Sequence, residues 1–498
     1  MKRKVDYFCS ESLRQNLKAK TVRGGLMTGS AQVVRLLIGM ASIPILARLL
    51  DPADFGLVAM VTVFTGLAAM FVDSGLSMAT VQRQELTHQQ VSNLLWIASS
   101  LGLLVALVVV LISPLVSWFY GEPRLTAIMC ALASSCVFSG LTLQHQALMR
   151  RAMQFSRLAT ASVISPIIGQ TVAITWAWHY EGQPQDYWAL VLLPIATSAT
   201  NMVAVWTLCD WRPGLPRRRV GTRELTVFGA NLTGFSFVNY LARNTDNLLI
   251  GYTWGSVSLG YYDRAYKLFL YPVQMINGPL SSVMVPALSR MISTPDKLHT
   301  TYARVVTVLM SVLSPLIVMT FITADWWIEC ILGARWMPCV PIFRWLLIAG
   351  SIQPFTNSAG WIFIAQNKTR EMFHAGAILA SITIASFLVG IAWGTTAVAA
   401  AYGLSAIFIR LPLLLFFLRH YRVLPLRKLR ALATNLCIMI PLIGTISYLM
   451  VTLHPFGNAL GNALLTLAAC LITMAVMFVL PISGRVMIGD IRHVLNRG

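Results

Sequence analysis

Apolar segments of about twenty residues or more recur along this chain and constrain its fold more than any other feature. A helix of that length spans the hydrocarbon core of a bilayer. Only 11% of the residues are charged, whereas soluble domains carry about a quarter. The segments lie near residues 24–49, 53–77, 93–119, 125–149, 158–180, 187–209, 225–251, 256–290, 302–328, 341–365, 373–393, 395–418, 430–453 and 459–481. The sequence therefore predicts an all-α polytopic membrane protein with about 14 transmembrane helices.

The Lys and Arg residues divide unevenly between the two sides that these spans create. With the N-terminus in the cytoplasm, 29 of the 38 Lys and Arg residues fall in cytoplasmic segments and 4 fall on the opposite side. This excess agrees with the positive-inside rule, and one missed span would invert every later loop. Both termini are therefore predicted to be cytoplasmic. Contacts with anionic membrane lipid account for the rest of the net charge of +20, so we expect no nucleic-acid partner.

A weak internal repeat predicts how the spans are grouped. Four residues are found again 204 positions later in the chain. The matching pairs are Gly25 and Gly229, Gly56 and Gly260, Leu76 and Leu280, and Ser77 and Ser281. Repeated bundles with a substrate site between them are common in secondary transporters. We predict a basic N-terminal segment (1–23), a first six-helix bundle (24–209), a basic cytoplasmic linker (210–224), a second six-helix bundle (225–418), two appended C-terminal helices (419–481) and a cytoplasmic tail (482–498).

Charged and polar residues inside the seventh and eighth spans mark the predicted substrate site. They advance by three or four positions and so form one stripe on each helix. The first stripe includes Arg243, Asp246 and Asn247, and the second includes Arg264, Lys267, Tyr271 and Gln274. Charges inside a membrane are costly and usually face the protein interior or a hydrated cavity. The two stripes therefore favour the basic wall of a cavity for an anionic, sugar-bearing substrate.

Each of these charges also has a structural interpretation. Arg243 and Asp246 could neutralise each other as i,i+3 partners. The sequence favours this pairing and a substrate role equally. Arg264 and Lys267 have only Asp263 nearby, and this acid is predicted to point away from their stripe. That position favours a ligand role for the two bases.

Two further arginines lie inside other spans. Arg35 shares a stripe of the first span with Thr28 and Gln32, and its alternative role is a structural pair with Asp73. Arg410 precedes Pro412 in the twelfth span. It either extends toward a lipid head group or lines the cavity, and the sequence does not decide between the two.

Proline spacing marks the eighth span. Pro272, Pro279 and Pro286 are seven residues apart and therefore lie almost on one face. Proline removes a backbone hydrogen bond and bends a helix, so this register predicts a bend that changes during transport.

The sequence contains no signature of an enzyme. There is no Walker A motif and no HExxH motif, and the eight cysteines form no CxxC pair. The links between spans on the outer side are too short to carry the catalytic loops of a membrane glycosyltransferase or ligase. We predict that the protein is not an enzyme and needs no cofactor or metal.

Several runs resemble the Wzx-type polysaccharide transporters of the multidrug/oligosaccharidyl-lipid/polysaccharide exporter superfamily. They are Ala-Arg-Leu-Leu-Asp-Pro-Ala-Asp-Phe-Gly-Leu (47–57), Phe-Val-Asp-Ser-Gly-Leu-Ser-Met-Ala-Thr-Val-Gln-Arg (71–83), Asn-Thr-Asp-Asn-Leu-Leu-Ile-Gly (244–251), Leu-Gly-Tyr-Tyr-Asp-Arg-Ala-Tyr-Lys-Leu (259–268) and Val-Pro-Ala-Leu-Ser-Arg (285–290). The resemblance covers about residues 20–420 and is greatest to the colanic-acid-exporter-like subgroup, associated with lipopolysaccharide and exopolysaccharide biosynthesis.

That resemblance implies a MATE-like arrangement of the two bundles and a flippase in the bacterial inner membrane. The implied substrate is an oligosaccharide linked to undecaprenyl pyrophosphate, which moves between leaflets by alternating access. The implied partners are this lipid-linked oligosaccharide, a polysaccharide polymerase and a chain-length regulator. The alternative within the superfamily is a cation-coupled multidrug exporter of the MATE type. An organic cation, however, would favour acidic rather than basic residues in the cavity.

Overall fold

A computed structural model of the chain describes residues 17–73, 76–83, 86–217, 223–453 and 459–479. These residues form helices and connecting turns, with no β-strand among them. The fold is therefore all-α, as predicted from the recurring apolar segments.

Seventeen α-helices follow one another in these ranges. They are α1 (Leu17–Leu49), α2 (Pro52–Asp73), α3 (Leu76–Gln82), α4 (His88–Tyr120), α5 (Arg124–Arg151), α6 (Phe155–His179), α7 (Trp188–Leu208), α8 (Arg223–Ser289), α9 (Pro295–Ile322), α10 (Ala324–Ile331), α11 (Cys339–Gly350), α12 (Gln353–Ala365), α13 (Thr369–Gly390), α14 (Thr395–Ser405), α15 (Leu411–His420), α16 (Arg430–Leu453) and α17 (Ala459–Val479). Short 3₁₀ turns lie at Ala334–Trp336, Ile391–Trp393 and Leu426–Leu429, and a π-helical turn, Ala406–Arg410, joins α14 to α15.

Each predicted apolar segment coincides with helix. Within the described ranges, ten helical segments are long and apolar enough to cross a membrane. The other predicted spans fall on the long α8, on the pair α11 and α12, and on α17. The chain is thus a multi-pass membrane protein, and the total of fourteen spans stays a prediction.

Helix α8 contains the predicted boundary between the seventh and eighth spans. Its backbone is interrupted at Gly255, which has φ 74° and ψ −175°. Only glycine adopts this region readily, because a Cβ atom would meet the neighbouring backbone. The helical path continues through Pro272, Pro279 and Pro286, so the functional bend predicted for them stays a prediction.

The chain divides into two compact units, Met1–Gly260 and Tyr261–Gly498. In the second unit, the side chains of Tyr302, Ile362 and Leu418 are fully buried in an apolar core between α9, α12 and α15. The grouping of the spans into bundles 24–209 and 225–418 remains a prediction.

In the first unit, α4 and α5 approach each other closely at small residues. A Cβ atom at Gly102 would lie 2.7 Å from the carbonyl oxygen of Cys136, and one at Gly140 would lie 2.6 Å from that of Ala98. Helix pairs in membranes use such small residues to bring their backbones together. This contact fixes α5, which contributes to the site described below.

The repeat-related glycines Gly56 and Gly260 lie at one helix crossing of the first unit. A Cβ atom at Gly56 would lie 1.8 Å from the carbonyl oxygen of Ser256, and one at Gly260 would lie 1.8 Å from that of Pro52. Residues 52 and 56 are themselves 204 positions before 256 and 260. The two contacts are therefore reciprocal, as expected where two copies of a repeat cross.

Candidate functional site

A cavity of about 660 Å³ lies within the first unit, between α1, α5, α6 and α7. Its lining consists of Thr28, Ala31, Gln32, Arg35, Gln146, Arg150, Phe155, Leu158, Ala159, Ala161, Ser162, Ser165, Pro166, Leu193, Pro194, Thr197, Ser198 and Asn201. We call it the unit 1 cavity. One part of the lining is polar and the other is apolar, so the cavity suits an amphipathic ligand.

The α1 stripe predicted from the sequence lies on this cavity. Thr28, Gln32 and Arg35 all contribute to the lining, because residues spaced by three or four share one face of a helix. Opposite them, Gln146 and Arg150 line the cavity from the last two turns of α5. Arg150 lies one residue beyond the predicted span 125–149, and its spacing of four from Gln146 places both on one face of α5.

The cavity carries positive charge without a counter-ion from the described residues. Arg35 and Arg150 are both exposed, and neither forms an ion pair with another described side chain. The described residues of the lining include no Asp or Glu. The side chain of Asp73, the alternative partner of Arg35, lies outside the part of the chain that the structure describes. Two guanidinium groups are therefore available for an anion.

The polar groups of the cavity divide into two kinds. The hydroxyls of Thr28, Ser165 and Thr197 donate to carbonyl oxygens one turn earlier in their own helices, at 2.9, 2.7 and 2.7 Å respectively. The side-chain amides of Gln32 and Asn201 form no hydrogen bond with another residue of the described ranges. Amides can both donate and accept, so these groups suit the hydroxyls of a sugar.

In the second unit, Asp263, Arg264 and Lys267 form a compact ion cluster in α8. The Oδ2 atom of Asp263 lies 3.0 Å from Nη2 of Arg264 and 2.9 Å from Nζ of Lys267. The Asp263 side chain is 6% exposed, that of Arg264 15% and that of Lys267 43%. We call these three residues the acid-centred triad. Its net charge is +1 when all three groups are ionised.

The prediction that Asp263 points away from the two bases is wrong. Asp263 and Lys267 are four residues apart and so lie on one helix face. The long side chain of the adjacent Arg264 folds back to the same carboxylate oxygen. A partner within the membrane lowers the cost of burying each charge, which explains why the three groups gather.

Arg243 and Asp246 lie on the same stripe of α8 but differ in exposure. Arg243 is exposed. Asp246 is 2% exposed, and its Oδ1 atom accepts a hydrogen bond of 2.9 Å from the backbone N–H of Asn247. Within their shared stripe, the acid is thus buried and the base is exposed.

Arg410 is held by contacts inside the second unit. One guanidinium nitrogen donates to the carbonyl oxygen of Tyr402 at 2.9 Å, and another donates to the hydroxyl of Thr383 at 3.2 Å. The guanidinium carbon lies 4.2 Å from the centre of the Tyr402 ring. Arg410 ends the π-helical turn, which interrupts the ordinary pattern of carbonyl partners. These contacts indicate a role in holding α13, α14 and α15 together.

The remaining predicted site residues are on α8. Tyr271 is partly exposed and lies one turn beyond Lys267, so it shares the face of the acid-centred triad. The side chain of Gln274 lies outside the part of the chain that the structure describes. Among the described residues, no group of three or more His, Cys, Asp or Glu residues is placed to hold a metal ion.

Residues 45–341 match a protein family described as "Polysaccharide biosynthesis protein". The lipopolysaccharide biosynthesis protein WzxC of Escherichia coli (strain K12) is 24% identical over 382 residues, which cover 75% of this chain and 76% of WzxC. The teichuronic acid biosynthesis protein TuaB of Bacillus subtilis (strain 168) is 23% identical over 312 residues, which cover 62% of this chain and 64% of TuaB.

Two solved structures share the fold. The lipid II flippase MurJ in an inward closed conformation superposes with a TM-score of 0.70 at 13% identity, covering 91% of this chain and 99% of MurJ. A MATE structure in complex with MaL6 superposes with a TM-score of 0.51 at 14% identity, covering 83% of this chain and 98% of that chain. The MATE-like fold predicted from the sequence is therefore confirmed.

Proposed function

Because the chain belongs to the polysaccharide biosynthesis protein family, we propose that it is a flippase for a lipid-linked oligosaccharide. The substrate is an oligosaccharide repeat unit on undecaprenyl pyrophosphate, and the protein moves it from the inner to the outer leaflet by alternating access. The product serves exopolysaccharide or lipopolysaccharide assembly. The protein is a transporter and not an enzyme.

The observation that carries this proposal is the unit 1 cavity, whose two guanidinium groups have no acidic partner among the described side chains. A pyrophosphate brings about two negative charges into a site of lowered dielectric, where the attraction to a cation is much stronger than at a surface. Arginine also grips phosphate oxygens through two parallel N–H donors. Arg35 and Arg150 together provide such donors, and none of the lining residues that the structure describes is an acid that would oppose them.

We propose that three predicted bases, Arg35, Arg264 and Lys267, bind the pyrophosphate during the transport cycle, with Arg150 as a fourth. The net charge of +1 on the acid-centred triad attracts the same anion. The side-chain amides of the unit 1 cavity and the Tyr271 ring are proposed to contact the sugars. The apolar part of the cavity suits the adjacent lipid.

The alternative is a cation-coupled multidrug exporter, and the likeness to MATE is the observation in its favour. A shared fold does not determine the substrate. An organic cation would be repelled by Arg35 and Arg150, and the cavity lining, as far as the structure describes it, offers no carboxylate. The charge of the cavity therefore favours the flippase.

We propose that the protein lies in the bacterial inner membrane with both termini in the cytoplasm. The charge asymmetry of the loops supports this orientation. A polysaccharide polymerase and a chain-length regulator are the proposed protein partners. In a cysteine-free variant, single cysteines at 183 and 257 should react with an impermeant thiol reagent from outside, whereas one at 369 should be protected in intact cells. Labelling at 369 from outside would contradict this topology.

The substrate class is tested in proteoliposomes that contain the purified protein. Fluorescent undecaprenyl-pyrophosphate-linked oligosaccharide is supplied to one leaflet, and its appearance in the other leaflet is followed with an impermeant quencher. The parallel assay follows uptake of a fluorescent organic cation under a proton or sodium gradient. We expect flipping of the lipid-linked sugar and no cation uptake. The reverse pattern would establish the exporter instead.

A further inference from the structure

The acid-centred triad has an arrangement that an ordinary structural ion pair lacks. The same Oδ2 atom of Asp263 contacts both Arg264 and Lys267. The pairs Glu122–Arg124 and Asp325–Arg344 instead join one acid to one base. One buried carboxylate therefore restrains two cations, and the three side chains together carry a net charge of +1 when they are ionised.

The three side chains also differ in access. Asp263 is 6% exposed, whereas Lys267 is 43% exposed. The Lys267 side chain is therefore the most accessible part of the triad. Lys267 needs only rotations of its flexible side chain to exchange one partner for another, and Arg264 can follow it.

We propose that Asp263 is a built-in counter-ion that the substrate anion displaces from Lys267 and Arg264. This inference rests on the proposed function and adds a role that is separate from binding. While the site is empty, Asp263 compensates two cations that would otherwise be costly to bury. When the pyrophosphate leaves, Asp263 takes the cations back. The acid thus weakens substrate binding and speeds release.

This exchange predicts an unusual result for removal of the acid. Asp263→Asn keeps the shape and an oxygen acceptor but removes the negative charge, so the cluster changes from +1 to +2. Binding of undecaprenyl pyrophosphate to the purified protein in nanodiscs should then become about tenfold tighter. Turnover in proteoliposomes should fall, with KM and kcat decreasing together. A substitution that only damaged the structure would weaken binding.

Compensating and control variants separate the charge effect from a folding effect. Lys267→Gln should weaken binding about tenfold, because it lowers the net charge of the three side chains from +1 to 0. The double variant Asp263→Asn/Lys267→Gln restores the charge of +1 and should bind more tightly than Lys267→Gln alone. Asp325→Asn removes an acid from the Asp325–Arg344 pair in the same unit and should leave binding unchanged.

Two outcomes would overturn the inference. One is unchanged, weaker or undetectable pyrophosphate binding in folded Asp263→Asn. The other is equal binding of undecaprenyl pyrophosphate by Lys267→Gln and by the double variant. This second comparison tests the counter-ion role if the single variant Asp263→Asn does not fold. The proposed function is tested separately. If the wild-type protein does not flip the lipid-linked sugar but Asp263→Asn still binds undecaprenyl pyrophosphate more tightly, the flippase is rejected and the counter-ion role is kept.

Discussion

The unit 1 cavity and the acid-centred triad are both basic regions inside apolar helices, but they differ in whether a described acid pairs with their bases. In the cavity, Arg35 and Arg150 have no acidic partner among the described residues. In the triad, Asp263 lies within 3.0 Å of both bases. One region is ready to accept an anion, and the other must first exchange a partner.

This difference shows that a base inside a membrane span is not by itself an available charge. The strength of an anion site depends on the net charge left after internal pairing and on the cost of breaking that pairing. Arg410 differs most from the cavity arginines, because two of its guanidinium nitrogens already donate to Thr383 and Tyr402. We therefore expect substitutions to have effects that decrease from the cavity to the triad to Arg410.

The largest effect is expected for the double substitution Arg35→Ala/Arg150→Ala. Each charge-assisted hydrogen bond contributes about 1.5–3 kcal/mol, so loss of both should reduce flipping in proteoliposomes at least about a hundredfold. The matched control is Arg124→Ala, which removes an arginine from an exposed pair with Glu122 and should change flipping little. Equal flipping activity of the double variant and the control would show that the unit 1 cavity does not bind the substrate.

The next effect concerns Arg264 in the triad. Arg264→Ala should reduce flipping about ten- to a hundredfold, because a bidentate donor is lost while Asp263 remains to hold Lys267. Arg264→Lys should recover only part of the activity, since an ammonium group provides a point charge without the planar fork. Full recovery by lysine would show that charge alone matters at this position.

Substitution of Lys267 is expected to reduce flipping less than substitution of Arg264. Lys267→Ala should reduce flipping several-fold, about three- to tenfold, because the ammonium group shares its charge with Asp263. Lys267→Arg keeps the charge and should be closer to the wild type. Flipping rates normalised to the amount of inserted protein measure this difference. A larger loss for Lys267→Arg than for Lys267→Ala would contradict the role of charge here.

The smallest effect on transport is expected at Arg410. Arg410→Ala removes two hydrogen bonds and a cation–π contact, so it should destabilise the second unit by about 1–3 kcal/mol. Thermal unfolding in detergent should show this loss. Substrate affinity per folded molecule should stay near the wild-type value. A loss of substrate affinity without a loss of thermal stability would indicate that Arg410 binds the substrate.

The fold was largely predictable because membrane spans have a strong sequence signal. Each predicted segment lies on helix, and the boundary within α8 was expected near its interruption at Gly255. The repeat of Gly56 and Gly260 was a weak signal in the sequence. It acquires a physical reason in the structure, where each glycine lets the other helix backbone approach.

The candidate site was predictable only in part, since periodicity identifies a helix face but not the partners across it. The stripe of Thr28, Gln32 and Arg35 was found by its spacing, and it lines the unit 1 cavity. Arg150 was missed because the predicted span 125–149 stops one residue before it, whereas α5 continues to Arg151. The position of Asp263 was predicted wrongly because its spacing of four from Lys267 was overlooked, and because the long side chain of Arg264 reaches back to the same carboxylate.

The central claim is that the unit 1 cavity receives the pyrophosphate of the substrate. Its most direct test is the modification rate of Gln32→Cys, in a variant without native cysteines, by a small thiol reagent in nanodiscs. We predict that undecaprenyl pyrophosphate slows this reaction at least about tenfold, whereas uncharged undecaprenol does not. Val34→Cys, at an exposed position outside the cavity lining, should react at the same rate throughout. Equal protection of Gln32→Cys by both lipids, or by neither, would contradict the account.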